Sequence, residues 1–189
     1  MFSQLRPALV LFVVLTLLTG IVYPFAMTGA AQLLFPAQAN GSLIIEKDAV
    51  RGSELIGQNF TADKYFWPRI SAAGNGYDAS ASSGANLGPT SKKLLDRIAA
   101  DAERVKAANG ANTLPPDAVT ASGSGLDPDI SPAYALLQAG RVAKARNLTD
   151  DQVRTLVESQ VKHPVIGIFG EPRVNVLSLN RALDAMAPG

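Results

Sequence analysis

The residues that could do chemistry are few, and their spacing rules out most of what they resemble. Gly74-Asn75-Gly76-Tyr77-Asp78-Ala79 has the letters G-x-G-x-x-A. A dinucleotide site needs a strand before that turn and a helix N-terminus after it. Here no strand-like run precedes it and a Ser/Gly-rich segment follows. Gly84-Ala85-Asn86-Leu87-Gly88-Pro89-Thr90-Ser91-Lys92 invites comparison with a phosphate loop but lacks the Gly-Lys-Ser/Thr order. The backbone N–H groups of Ser83–Asn86 could hold an anion in a nest, although a surface loop leading into a helix cap is the simpler reading. Asp127-Pro128-Asp129-Ile130-Ser131 starts like a calcium loop, but Pro132 stands where glycine is needed and Gln138 where glutamate is needed. Helix capping explains those aspartates better. Ser122 and Ser124 are not in a G-x-S-x-G elbow. His163, the only histidine, precedes a proline at an expected helix end, where an imidazole serves the last carbonyls more readily than it serves catalysis. No carboxylate pair stands out. With no cysteine and one histidine, the chain lacks disulfides, Cys-ligated zinc, Fe–S clusters and poly-histidine metal sites. Neither a catalytic set nor a metal site is expected. Arg141, Lys144 and Arg146 form a basic cluster near a helix end. Complementing the helix dipole accounts for them, and docking of an acidic partner is the functional alternative.

The elements that carry these residues divide sharply. The 189 residues have a net charge of +1, with no basic excess for nucleic acid. Arg6 is the only charged side chain before Glu46, and Ala8–Phe35 contains only four clearly polar side chains, Thr16, Thr19, Thr28 and Gln32. About 20 helical residues cross a hydrocarbon core of about 30 Å, so residues 8–35 are expected to be a transmembrane helix after a tail at 1–7. Pro24 predicts a kink, its freed carbonyl taken up by Thr hydroxyls or neighbouring helices. Thr16 and Gly20, and Ala26 and Ala30, stand at the small-xxx-small spacing that lets a partner helix approach. Ala37-Gln38-Ala39 has the form of a signal-peptidase site, but the apolar run far exceeds a signal peptide's core. A permanent single-span anchor in lipid is the preferred reading, with the short N-terminal tail retained in the cytoplasm.

Residues 36–45 read as a linker and 46–189 as one mixed α/β (α+β) domain. Glu46–Gly57 suggests a short strand or turn. Tyr65-Phe66-Trp67 suggests core plus one surface ring. Ser71–Pro89 has hardly any large apolar side chain and predicts a long loop. A helix should start at Thr90 or Ser91, with Leu94, Leu95, Ile98, Ala102 and Val105 inward and Lys93, Arg97 and Asp101 solvated. Asn109-Gly110 should stop it. Val119-Thr120 suggests a short strand. Ser131-Pro132 predicts a helix to about Asn147, and Thr149–Gln152 a capping box opening another that ends at His163-Pro164. Val165–Phe169 and Val174–Leu177 read as an antiparallel hairpin around Gly170–Arg173, before a terminal helix at Asn180–Met186.

Several longer blocks carry a resemblance. Gly57-Gln58-Asn59-Phe60, Tyr65-Phe66-Trp67, Gly76-Tyr77-Asp78-Ala79, Ala81–Asn86 and Leu87-Gly88-Pro89-Thr90 are similar to the C subunit family (KdpC) of the bacterial Kdp potassium-transporting ATPase. So are Val119–Asp127, Arg141–Arg146 and Gly170–Asn180, and with the anchor the likeness covers nearly the whole chain. Ser83 and Ala85 stand where the family usually has Gly and Ser. The resemblance implies an accessory, non-catalytic subunit of a high-affinity, ATP-driven potassium importer in the bacterial inner membrane. Its partners would be a pore-forming potassium-binding subunit, a P-type ATPase subunit and a small membrane peptide. It also implies stabilisation of the assembly, or a catalytic chaperone raising the ATPase subunit's nucleotide affinity. ATP contact would then be at Ser82, Ser83, Gly84 and Asn86, with no tightly bound cofactor. ATP contact needs a cytoplasmic domain and the family architecture a periplasmic one. The periplasmic placement is preferred. The alternative from another class is a signal-anchored periplasmic enzyme, using Ser124 or His163, or a binding protein unrelated to transport.

Overall fold

The computed structural model describes residues 2–46, 48–164, 167 and 170–186. The chain forms two compact units, Met1–Arg51 and Gly52–Gly189.

The smaller unit is dominated by one helical run, Leu5–Leu34, long and apolar enough to cross a membrane and nowhere buried by the rest of the chain. It is not a uniform α-helix. α1 (Leu5–Leu17) passes into a π-helical turn, Leu18–Val22, and then into α2 (Tyr23–Leu34). The wide turn has a cause in the sequence. Pro24 has no N–H and its ring crowds the carbonyl four residues back, so the turn before it relaxes. The Tyr23 N–H donates to the Leu18 carbonyl, five residues back, and the Thr19 hydroxyl donates to the Leu15 carbonyl at 2.7 Å. Phe35, with φ −138° and ψ 58°, breaks the helix, and one further turn, α3 (Pro36–Ala39), follows. β1 (Leu43–Glu46) and β2 (Ala49–Ser53) form a two-stranded sheet.

The larger unit is α+β with very little strand. α4 (Lys92–Asn109) ends at Gly110 in the left-handed conformation. Its inward face is narrower than its periodicity suggests. Val105 is buried, Leu95 is exposed, and Arg97 and Asp101 are half-buried rather than solvated. Val119-Thr120 is not a strand. A 3₁₀ turn, Pro116–Ala118, follows Pro115, and extended pairing is reduced to one bridge between Ile70 and Ala121. β3 (Asp129–Ile130) leads into α5 (Pro132–Arg146), where the Ser131 hydroxyl accepts the Tyr134 N–H at 3.0 Å. α6 (Asp150–Ser159) opens on the complete Thr149/Gln152 capping box. It ends at Ser159, four residues before His163, because the chain turns there to pair Lys162 with Arg173.

The C-terminal hairpin needs correction. Residues 165, 166, 168 and 169 of its first arm lie outside the described residues. Its second arm is only β4 (Val174–Asn175), paired antiparallel with β3, Asp129 opposite Asn175 and Ile130 opposite Val174. α7 (Val176–Met186) then starts four residues before the expected position. The Asn175 side chain accepts the Ser178 N–H at 3.0 Å and so acts as a helix cap. α5 packs on α4 and α6, and α6 on α7. The core between them holds Phe66, Val105, Tyr134, Val142, Val153, Val157, Val174, Leu179 and Leu183.

Candidate functional site

The segment Asp63–Trp67 crosses this core without a strand partner, so its backbone groups need hydrogen bonds from elsewhere. Two buried carboxamides supply them. Asn180 of α7 accepts the Phe66 N–H at Oδ1 (2.8 Å) and donates Nδ2 to the Phe66 carbonyl (3.1 Å). Gln138 of α5 does the same for Trp67, at 2.7 and 3.1 Å. A carboxamide offers the same donor–acceptor pair as a peptide group, so each side chain stands in for a neighbouring strand. Phe66 itself is fully buried, while Tyr65 and Trp67 are half-buried.

Arg141 and Arg146, read from the sequence as part of a basic cluster, complete this frame from within the domain. Arg141 donates to the carbonyls of Asp63 (2.6 Å) and Tyr65 (3.0 Å), to Gln138 Oε1 (2.7 Å) and to Asn109 Oδ1 (3.1 Å). Its guanidinium lies 4.0 Å from the Trp67 ring centroid, a cation–π contact. Burial pulls its pKa down to about 10, which leaves it charged at neutral pH. Arg146 donates to the Lys64 carbonyl (2.9 Å) and to Asp184 (2.6 Å) and lies 4.8 Å from the Tyr65 ring centroid. Their side chains are 6% and 1% exposed. Only Lys144 of the three is exposed. The three share a helix end, but two are turned inward by carbonyls that local sequence does not reveal.

The 71–89 loop is laced to the loop at 123–127. The Ser71 hydroxyl donates to the Gly125 carbonyl (2.6 Å) and accepts the N–H groups of Ala73 (3.2 Å) and Tyr77 (2.8 Å). The Tyr77 hydroxyl donates to the Arg69 carbonyl at 2.7 Å. Its pKa is raised chiefly by burial and then by Asp127, so it stays a neutral donor. Arg69 pairs with Asp127 at 2.8 Å. The Ser83 N–H and the Ser82 hydroxyl both donate to the Ser124 carbonyl at 3.0 Å, and the Ser83 hydroxyl donates to the Gly84 carbonyl. A Cβ on Gly84 would stand 2.9 Å from the Gly123 carbonyl oxygen. Asn86 is exposed at φ 49°. The structure therefore brings Ser82, Ser83 and Gly84 together, but against a neighbouring loop that uses the Ser82 hydroxyl and the Ser83 N–H.

The remaining candidates lie in turns, caps and loops. Gly74–Ala79 forms a tight turn in which Asp78 caps the Ser80 N–H at 2.9 Å, with no strand–turn–helix unit. Asp127 caps the Asp129 N–H (3.0 Å), Asp129 pairs with Arg173 (3.0 Å), and Asp117 holds both the N–H and the hydroxyl of Ser131. The Asp129 carboxyl is pushed up, mainly by burial and against the pull of Arg173. Among the described residues, no group of three or more His, Asp or Glu is placed to hold a metal. Ser124 Oγ accepts the Leu126 N–H, and His163 is exposed beyond α6. Two open clefts flank Arg69. One, of about 470 Å³, is walled by Phe60, Trp67, Tyr77 and Arg104. The other, of about 540 Å³, is walled by Pro116, Asp129 and Arg173. Sequence reasoning missed Gln138 and Asn180. Their signal was a lone carboxamide on an otherwise apolar helix face.

The family described as KdpC, the K+-transporting ATPase c chain, matches residues 5–185. Similar proteins include the potassium-transporting ATPase KdpC subunit of Caulobacter vibrioides (strain NA1000 / CB15N), 57% identical over 189 residues, covering 100% of this chain and 96% of the relative. That of Rhodopseudomonas palustris (strain BisB5) is 55% identical over 197 residues, covering 98% of each. That of Polaromonas naphthalenivorans (strain CJ2) is 57% identical over 191 residues, covering 100% and 97%. The match takes in the membrane-length helix, the buried amide frame and the laced loops alike, and the chain belongs to the KdpC family.

Proposed function

We propose that this chain is the accessory, non-catalytic subunit of an ATP-driven potassium importer. Leu5–Leu34 anchors it in the inner membrane, and residues 52–189 lie on the periplasmic side. Its work is to stabilise the assembly with a pore-forming subunit, a P-type ATPase subunit and a small membrane peptide. The observation that carries the reading is that the family match runs from residue 5 to residue 185, so helix and domain belong to one functional unit. The test is purification from membranes through a tag on this chain. The pore and ATPase subunits should come with it, and a deletion strain should fail to grow in micromolar potassium. Recovery of the chain alone with normal growth of the deletion strain would sink the proposal.

ATP contact at Ser82, Ser83, Gly84 and Asn86 is the finer reading carried by the resemblance. The hydrogen bonds of Ser82 and Ser83 to Ser124 favour a structural role for that loop instead. The triple variant Ser82→Ala, Ser83→Ala, Asn86→Ala should therefore leave the ATP concentration for half-maximal potassium-stimulated ATPase activity unchanged. A rise on the order of tenfold, equivalent to about 1.4 kcal/mol, would return the loop to nucleotide binding. A C-terminal alkaline phosphatase fusion reports on topology independently, and activity of the fused enzyme is the expected result.

A further inference from the structure

Exposed apolar side chains are unevenly spread over the described residues. In the larger unit only Leu55, Ile56, Leu95 and Met186 are large, apolar and exposed. Between residues 33 and 50 of the smaller unit, Leu33, Leu34, Phe35, Leu43, Ile45 and Val50 are all 50–84% exposed. Single exposed apolar residues need no explanation, but six in so short a stretch need one. Leu43 and Ile45 alternate with buried Ile44 and so share one face of β1.

The path of the chain places that surface. The Gln32 and Asn40 carboxamides exchange hydrogen bonds, Gln32 Nε2 to Asn40 Oδ1 at 3.4 Å and Asn40 Nδ2 to Gln32 Oε1 at 3.2 Å. Asn40 Nδ2 also donates to the Pro36 carbonyl at 2.7 Å. Eight more residues of helix would have carried Asn40 about 12 Å further along the axis. Instead, the amide pair holds Asn40 within side-chain reach of Gln32, so the chain turns at the helix end. The helical run of 30 residues is about 45 Å long, close to the roughly 40–45 Å of a bilayer with both headgroup layers. Its end at Leu34 therefore falls among headgroups. The amide pair and the Glu46–Arg51 pair (3.8 Å) supply polar groups to the same stretch.

We infer that residues 33–46 and 48–50 form an amphipathic elbow lying in the headgroup–acyl boundary of one leaflet, with membrane lipid covering its apolar side chains. The inference rests on the anchor reading above. Depth and continuity choose the occupant: the elbow begins where the spanning helix ends. Apolar side chains on a segment held there gain by dipping about 5–10 Å into the boundary.

The chain has no cysteine, so single replacements carry unique labels. Phe35→Cys, Ile45→Cys, Val14→Cys and Leu95→Cys would each be made in the full chain and labelled with an environment-sensitive fluorophore. Each would be purified with its accompanying subunits and reconstituted in phosphatidylcholine–phosphatidylglycerol vesicles carrying shallow or deep lipid-borne quenchers. Labels at 35 and 45 should be quenched most by the shallow quencher, the label at 14 by the deep one, and the label at 95 by neither. Deep quenching at 14 with none at 45 would overturn the elbow and leave the anchor standing, the elbow then being covered by protein or open to water. Absence of quenching at 14 would overturn the anchor itself.

Discussion

Asn180→Leu should destabilise the protein by about 3 kcal/mol, since each buried polar group left without a partner costs about 1–3 kcal/mol and the substitution strands two. Those two are the N–H and the carbonyl of Phe66, which the Asn180 amide holds at 2.8 and 3.1 Å. Leucine fills a similar volume, so little of the loss comes from a cavity. In a unit of this size the transition should fall by roughly 10 °C. Gln138→Leu should cost at least as much, because Arg141 also loses an acceptor. Trp67, the only tryptophan in the chain, lies beside the clamp and reports directly. Urea titration of the full chain in detergent, followed by its fluorescence, gives the measurement. A midpoint for Asn180→Leu indistinguishable from the parent protein would mean that the clamp contributes nothing.

Gly125→Ala should be comparably severe, for a different reason. Gly125 sits at φ 69°, and an added Cβ would lie 2.7 Å from both the Ala73 nitrogen and the Ser83 carbonyl oxygen. Both obstacles are backbone, so the 71–89 loop as a whole must move. Overpacking of about 1–3 kcal/mol and a left-handed penalty of about 1–2 kcal/mol together give about 3 kcal/mol. Gly123, two residues earlier, provides the control, because a Cβ there meets nothing within 4 Å. Gly123→Ala should stay within about 0.5 kcal/mol of the parent. Limited proteolysis near Ala81–Gly88 should also accelerate in the Gly125 variant alone. Equal behaviour of the two variants would remove the close contact between the loops as a source of stability.

The parts of the fold legible in the sequence are those whose signals are local. Gly110, Ser131 with Pro132, and the Thr149/Gln152 box each act within four residues, and the helix ends they set stand where expected. Val174–Leu177 fits both periodicities, because Val174, Val176 and Leu177 are apolar and suit a strand face or a helix stripe equally. The Asn175 side chain settles the matter by capping the next turn. β3 and β4 are two residues each and pair across 44 residues of chain, too short for alternation to register. The amide frame was illegible for the same physical reason. Gln138 and Asn180 bind backbone 71 and 114 residues away, and a backbone partner leaves no side-chain pattern. Arg141 and Arg146 look like a solvated pair until the carbonyls of 63–65 are placed beneath them.

The π-helical turn at Leu18–Val22 changes what the anchor presents on either side of it. One surplus residue in a turn makes everything beyond it lag by about 100° around the axis. In an unbroken α-helix, Thr16 and Ala26 would lie within about 80° of each other, and with Gly20 and Ala30 would make one continuous shallow groove. The wide turn contains Gly20 and rotates the Ala26–Ala30 step by about 100° away from the face it would share with Thr16. The two small-residue steps are therefore separate faces of one helix rather than a single seam.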